Sequence, residues 1–469
     1  MSLRLTNTLT GEKEEFEPLE AGRVGLYSCG PTVYGPAHLG NFRAFVFADL
    51  LQRYLRWLGY EVRWVMNITD VDDRIIRDLA TAGGTLGELT GPHVERFLAD
   101  LDRLRVQRPD VMPRATQHVA QMADLIARLL ERGHAYRTDD GSIFFRISSW
   151  PAYGRLARLE PGSGRRGERV AADDYGKDDV RDFALWKGPR DGEPSWPTDI
   201  GPGRPGWHIE CSAMSMHYLG PSFDIHTGGV DLIFPHHENE IAQSEGGTGQ
   251  PFVQTWLHNA HLQMGGQKMA RREGNISRPD DVYALGYRPA ALRYALLATH
   301  YRAPLEYGED SLEHATAAVE RLSSALTALE SYRQDGRADD GLSQLLESAR
   351  QGFVAGLDDD LNVSAALAAV FEFVREVNRR LDARSLSTAD AGRAADLLRD
   401  FDHVLAVLDL PEQLPDGAET LLEQRAAART ARDWAASDQL RDELKELGVL
   451  VEDTRDGQRW KLRGEVSDG

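Results

Sequence analysis

The chain has 469 residues, with 54 Lys and Arg against 74 Asp and Glu, a net charge of −20 and two cysteines. That acidity excludes loose electrostatic binding to nucleic acid, which needs a basic surface, so such a partner must be met by local basic patches and shape. No run approaches the ~18 apolar residues of a membrane span, and Met1–Gly11 is too polar for a signal peptide. Two cysteines without an export signal point to the cytoplasm, and at ~150 residues per domain the length predicts three domains with ample core.

Val24–Cys29 reads as a short buried strand that runs into the turn-rich Gly30-Pro31-Thr32-Val33-Tyr34-Gly35-Pro36-Ala37. From His38 to Leu58, apolar residues recur at Leu39, Phe42, Phe45, Val46, Leu50, Leu51, Tyr54, Leu55 and Leu58, the period of a helix. Strand, loop and a helix opening at His38-Leu39-Gly40-Asn41 suit an anion, because free N–H groups and the helix dipole point at it. The same stretch also fits an ordinary strand-to-helix turn. Glu61–Met66 is a second strand, and together these segments predict a doubly wound nucleotide-binding fold with its ligand at the carboxyl ends of the strands. Asn67-Ile68-Thr69-Asp70-Val71-Asp72-Asp73 follows; its aspartates fit a helix-capping cluster better than a magnesium site.

Helical patterns cover Asp73–Thr81, Gly91–Arg105 and Ala115–Arg132. Ala135–Thr138 and Ile143–Ile147 then flank Asp139-Asp140-Gly141, a hairpin signal. Residues 150–205 are rich in Gly, Pro and Arg and read as an insertion into the nucleotide fold. Gly162–Gly167 and Gly201–Gly206 match the dinucleotide glycine pattern, but neither follows a clear strand or opens a predicted helix, so both are set aside.

The stretch Gly206–Ser244 concentrates chemistry. Pro235 suits the first turn of a helix, in which His236 and Glu240 would project from one face. Cys211 reaches the same point if Ser222–Ile225 and Leu232–Phe234 are neighbouring strands. Zinc normally takes four such ligands, and Cys29 is the natural fourth. A second reading stays open: two small buried cysteines, with His236 and Glu240 capping a helix and no Cys-x-x-Cys pair to decide.

Trp256–Leu262 reads as a strand leading into Met264–Asn275, a loop with Lys268, Arg271 and Arg272 that could embrace polyphosphate or simply be solvated. From Ser311 to Leu408 the pattern is almost wholly helical. Pro411–Pro415 marks a linker, Thr420–Leu447 one further helix, and Val449–Val451 with Trp460–Leu462 a closing hairpin around Asp456-Gly457.

Taken together these segments resemble the class I cysteinyl-tRNA synthetases. The resemblance runs from Asn7-Thr8-Leu9-Thr10 through Cys29-Gly30-Pro31-Thr32-Val33-Tyr34, Asn67-Ile68-Thr69-Asp70 and Pro205–Met214. It continues through Phe234-Pro235-His236-His237-Glu238-Asn239-Glu240 to Asp433-Trp434-Ala435-Ala436. It implies an α/β doubly wound catalytic domain over 1–310 with an insertion near 115–205 and a KMSKS-type loop region at 264–280. A helical bundle over 311–410 and a small mixed α/β anticodon-binding domain over 411–469 would follow.

The resemblance further implies ATP, with magnesium, as substrate, activation of L-cysteine as an adenylate, and transfer to the tRNA for cysteine. Cys29, Cys211, His236 and Glu240 stand at the family's zinc positions. Thr69, Trp207 and His226 stand around the amino acid. His38 and Asn41 match the ends of the HIGH signature, and Gly229 and Asp231 lie where the adenosine is held. Lys268 and Arg271 occupy the KMSKS loop, where this chain departs from the family: Arg271 replaces the second lysine, and Ala270 and Arg272 replace both serines. Arg74 and Arg77 stand where the family often carries lysines linked to a pyridoxal-phosphate-dependent persulfide activity, which arginine cannot support. Arg429, Trp434, Asp438 and Asp453 match anticodon-reading positions, though a solvated helix face and a small core also fit them. Mycothiol-pathway cysteine ligases share the nucleotide fold and zinc site but lack the tail, and a non-catalytic tRNA-binding paralogue is the other alternative.

Overall fold

A computed structural model describes residues 2–159, 181–334, 341–409, 415, 417–454 and 457–462. The chain divides into two compact units, Met1–Leu408 and Asp409–Gly469. Among the described residues no helix is long and apolar enough to cross a membrane.

The first unit is organised on a four-stranded parallel sheet. Arg23–Ser28 lies between Glu61–Met66 and Phe223–Gly229, and Val253–Asn259 flanks the latter. The strands are largely buried, polar residues such as His226 and Thr227 included, because helices cover the sheet, as parallel sheets require. Register aligns Ser28 with both Met66 and Thr227, and Thr227 with Leu257. Cys29, Asn67, Gly228 and His258 are the next residues along each strand, so they emerge at one carboxyl edge. The helix Leu39–Trp57 follows the first strand, with thirteen residues on its buried side and His38 extended at its N-cap.

The expected hairpin forms between Ala135–Arg137 and Ile143–Phe145 and is extended by Phe183–Lys187 and Arg204–Pro205 into an antiparallel sheet. The glycine string 162–167 lies outside the described residues. The string 201–206, however, does open a helix, since Gly206 is the N-cap of Trp207–Leu219. It still holds within itself only a two-residue antiparallel strand, Arg204–Pro205, without the parallel βα turn of a dinucleotide site.

Two expectations in the central stretch are corrected. Leu232–Phe234 is not a strand: Val230–Leu232 is a 3₁₀ turn and Ile233–His237 a π turn. Pro235 therefore sits inside this irregular turn, and the regular helix starts only at Glu238 and runs to Thr248. Cys211 reaches the site on the helix Trp207–Leu219, without the expected pairing of Ser222–Ile225 and Leu232–Phe234 as neighbouring strands. The predicted strand Trp256–Leu262 is divided between Val253–Asn259 and Leu262–Met264.

Four long helices, Glu309–Ser331, Leu342–Asp358, Val363–Asp382 and Thr388–Leu405, complete this unit. Gly356 permits a close crossing: a Cβ there would stand 2.6 Å from the backbone nitrogen of Ala366. The signature helix is pinned to this region by Arg293, whose guanidinium is fully buried. It donates to Asp49 Oδ2 at 2.6 Å and to the carbonyls of Leu405 and Leu104.

In the second unit the predicted single helix is two, Ala418–Thr430 and Trp434–Glu446. Arg432 takes a positive φ of 59°, which ends the first, and the Asp433 side chain caps the second by accepting from Ala436 N–H. The hairpin pairs Val449–Thr454 with Gly457–Leu462.

Arg293→Ala should remove the guanidinium from the Leu405 and Leu104 carbonyls and one of two cations from Asp49, which keeps Arg53, Gln52 and the Gln107 N–H. Urea denaturation of the full chain should show a loss of about 1–3 kcal/mol.

Candidate active site and metal centre

At the carboxyl edge of the sheet lies a cleft of about 410 Å³. Its wall includes Cys29, His38, Asn41, Trp207, Gly229, Asp231, Lys268 and Arg271. Eight of the sequence-predicted residues, from five separated segments, thus share one cavity. Thr69 and His226 do not line it. The Thr69 hydroxyl donates to Glu210 Oε2 at 3.0 Å, and His226 is fully buried against Glu240.

One end of the cleft meets a nest of metal-binding atoms. Cys29, Cys211, His236 and Glu240 each present one, all within 4.8 Å of one another. The two sulfurs stand 3.9 Å apart and His236 Nε2 is 3.0 Å from Glu240 Oε1. A tetrahedral zinc with Zn–S near 2.3 Å sets its sulfurs roughly 3.8 Å apart, so the set suits that ion in both donor type and spacing. A second set, Cys29, His226, His237 and Glu240, overlaps it. His237 Nε2 lies 3.3 Å from Cys29 Sγ, and His226 Nε2 donates to Glu240 Oε2 at 2.9 Å.

The electrostatics are those of a buried cation site. Burial opposes ionisation of Glu240, but His226 and His236 outweigh it and hold the carboxyl down at about 2. The hydrogen bond with Cys29 leads in pulling Cys211 down to about 6, while burial pushes Cys29 up. Burial also holds His208, His237 and His258 neutral. Trp207 stacks on the His236 ring at 4.2 Å, and His208 shares a 2.9 Å hydrogen bond with His236 Nδ1. That partner orients the histidine, as outer-sphere groups around metals do.

The other end is basic. Lys268 Nζ lies 3.1 Å from Asp231 Oδ2, and Arg271 Nη2 donates to the Pro36 carbonyl at 2.5 Å. The loop is more ordered than a solvated strap. Gln267–Lys268 pairs with Gln263 and Met264, Met269 is buried, and Asn275 bonds both Ala270 N–H and the Lys268 carbonyl. At the helix start Asn41 Oδ1 accepts from His38 N–H at 3.1 Å. Of the aspartates after the second strand, Asp72 caps the helix Asp73–Ala82 through Ile75 N–H, Asp70 accepts from Thr116, and Asp73 pairs with Lys187 and Arg204.

In the second unit Trp434 is 56 % exposed and the Arg429 guanidinium lies over its ring at 5.7 Å. Asp438 pairs with Arg441 at 3.0 Å. The side chain of Asp453 lies outside the described residues, as does the linker 411–414. Sequence reasoning missed His208, His237, His258 and Tyr34. The adjacent histidines of the His236-His237 pair and the position of His258 at a parallel strand's carboxyl end were signals for His237 and His258. Nothing local marked His208 or Tyr34.

Residues 15–317 match the family described as tRNA synthetases class I (C) catalytic domain, 352–409 the DALR domain, and 412–460 the cysteinyl-tRNA ligase anticodon binding domain. The chain is 44 % identical to the cysteine–tRNA ligase of Solibacter usitatus, over 99 % of this chain and 100 % of that one. To that of Alkalilimnicola ehrlichii it is 46 % identical, over 98 % and 99 %. Among solved structures it is similar in fold to Mycobacterium tuberculosis methionyl-tRNA synthetase in complex with methionyl-adenylate, with a TM-score of 0.59 at 18 % identity, covering 88 % of this chain and 96 % of that one. A leucyl enzyme of Agrobacterium radiobacter, in a ternary complex with tRNA, gives 0.60 at 13 %, covering 84 % and 87 %.

His38 offers a direct check on the basic end. Burial first, then Arg271 and Lys268, bring its imidazole down to about 4. Unfolded chain binds this proton near 6.5, so between the two values it holds more protons than the folded form, and stability should fall as pH drops through that window. NMR titration of the His38 ring should give a midpoint near 4 that rises in Arg271→Gln; a midpoint near 6.5 would contradict the charge arrangement.

Proposed function

The chain belongs to the class I cysteine–tRNA ligases, which use ATP to join cysteine to its tRNA, and on that premise we propose how its residues divide the work. The observation that carries the proposal is one cleft with a four-donor nest at one end and Lys268, Arg271, His38 and Asn41 at the other. Cysteine bound between them has its thiol at the nest and its carboxylate toward the basic end.

Cys29, Cys211, His236 and Glu240 hold zinc, in preference to the overlapping histidine set, because two thiolates suit this borderline-soft ion better than one. Bound there, zinc supplies a thiolate acceptor that a serine hydroxyl satisfies poorly, a discrimination that a merely shaped pocket cannot make. Trp207 closes the pocket beside His236. Thr69, through Glu210, and His226, through Glu240, act from behind the wall. Gly229 and Asp231 receive the adenosine, whose phosphates arrive with magnesium.

Adenylate formation then asks for alignment and charge stabilisation more than covalent help. His38, kept neutral, donates a ring N–H to the phosphates without adding charge. Asn41 holds the helix start in place, and Lys268 exchanges Asp231 for the phosphates. Arg271 adds a second cation.

Residues 1–310, 311–410 and 411–469 serve as catalytic, bundle and anticodon-reading domains. Arg429, Trp434, Asp438 and Asp453 contact the anticodon. The match of the tail to an anticodon-binding family disfavours the amino-sugar ligase, and retention of His38, Asn41 and all four zinc positions disfavours the non-catalytic paralogue. Two free thiols suit a reducing cytoplasm.

Metal analysis of the purified protein should find about one zinc per chain. Cys211→Ser should lose it and with it cysteine binding, whereas His237→Asn should keep it. The reverse pattern would move the ion to the histidine set, and a zinc-free protein that still prefers cysteine to serine would end the zinc reading.

For the tail, Trp434→Ala should raise the tRNA Michaelis constant by an amount worth ~1–3 kcal/mol if a base stacks on the ring. Pyrophosphate exchange should stay unchanged. Normal charging kinetics in that variant would remove Trp434 from the interface.

A further inference from the structure

The family's altered loop meets an equally particular turn. The Arg271 guanidinium donates to the Pro36 carbonyl and its carbon lies 4.6 Å from the centre of the Tyr34 ring. Between those two residues, Gly35 presents no side chain. A Cβ there would stand 2.9 and 3.0 Å from the two terminal nitrogens of Arg271 and 3.4 Å from its central carbon. Gly35 is not among the glycines with positive φ, so its backbone does not demand glycine. What the missing side chain provides is room for the guanidinium. The Arg74 guanidinium, from the first turn of the helix Asp73–Ala82, lies 4.0 Å from the same Tyr34 ring.

We propose that Tyr34-Gly35-Pro36 is a cradle that positions Arg271, and through it the Lys268 loop, for adenylate formation, with Tyr34, Gly35 and Arg74 as positioning residues. It rests on the phosphate-facing reading of Lys268 and Arg271. The chemistry selects arginine at 271. A planar guanidinium stacks on a ring and donates sideways at once, while a lysine ammonium offers neither the flat face nor the fork. The cradle also lies just before His38. Docking Arg271 in it therefore ties the loop to the helix start, so both halves of the nucleotide site keep one spacing before substrate arrives. Arg74 braces the ring from the adjacent helix, which gives an arginine at that position a role that needs no Schiff base.

The test is pyrophosphate exchange by the full-length enzyme, with Tyr34→Phe, Tyr34→Leu and Gly35→Ala made singly and over Arg271→Lys. Tyr34→Phe keeps the ring and should stay within about twofold of wild type. Tyr34→Leu and Gly35→Ala should each lower kcat about tenfold while moving the ATP KM by less than about threefold, as loss of an orientation effective only at the reaction step. Over Arg271→Lys the same changes should cost less than about twofold more, because the group they position is already gone. Trypsin should cut after Arg271 faster in Tyr34→Leu and Gly35→Ala than in wild type. Losses that add fully over Arg271→Lys, or wild-type exchange and cleavage in Tyr34→Leu, would overturn the cradle. Lys268→Ala separates the two ideas. If it leaves exchange untouched, the phosphate-facing reading itself falls; if it slows exchange while the Tyr34 and Arg271 losses add, only the cradle falls.

Discussion

The parallel pairing of Arg23–Ser28 with Phe223–Gly229 is the constraint from which the site follows. Leu26, Tyr27 and Ser28 lie opposite Ile225, His226 and Thr227, and the Cys29 N–H donates to the Thr227 carbonyl at 3.2 Å. Side chains alternate faces along a strand, so a slip of one residue would send Tyr27 and His226 to opposite sides and lift Cys29 out of the nest. The burial of Leu26, Tyr27, Ile225 and His226 holds the register, since each has essentially no exposure to lose. The core that stabilises the sheet therefore also sets the metal-binding geometry.

Around that register the protein buries an unusual density of polar atoms. Glu240, His226, His236 and His237 are almost wholly enclosed. Such groups are tolerated because they satisfy each other: Glu240 takes one histidine on each oxygen, and His237 Nδ1 shares a 2.7 Å bond with His258, whose other nitrogen meets the Thr8 hydroxyl. A network of this kind rigidifies its members, because breaking one contact leaves a buried partner unpaired.

Net and local charge point opposite ways. The chain as a whole is strongly acidic, yet at His38, which burial depresses first, Arg271, Lys268 and Arg278 depress it further. Close charges in a part-buried cleft act over a few ångströms, whereas distant surface carboxylates are screened beyond about 8–10 Å. The cleft is thus basic at one end on an acidic protein. The acidic remainder discourages indiscriminate attachment of RNA, leaving tRNA to be held by shape and specific contacts.

Local pattern alone determined a good deal. The apolar period from Leu39 to Leu58 fixes a helix and Glu61–Met66 a strand, each of which depends on neighbours within a turn or two. For Cys29, Cys211, His236 and Glu240 the residue types left a zinc site and a pair of small buried cysteines both open. Where the sequence misled, long-range packing had the final say. The turn at Ile233–His237 is irregular because it must deliver His236 and His237 to the sheet edge, and Cys211 comes on a helix because the antiparallel sheet of the insertion hands the chain over at Gly206. The break at Ala431–Asp433 was local but hidden inside an unbroken helical composition. The union of Arg271 with Tyr34, Gly35 and Pro36 was beyond sequence altogether. It joins residues separated by most of the catalytic region, and only the folded sheet, by bringing its carboxyl ends together, decides that they touch.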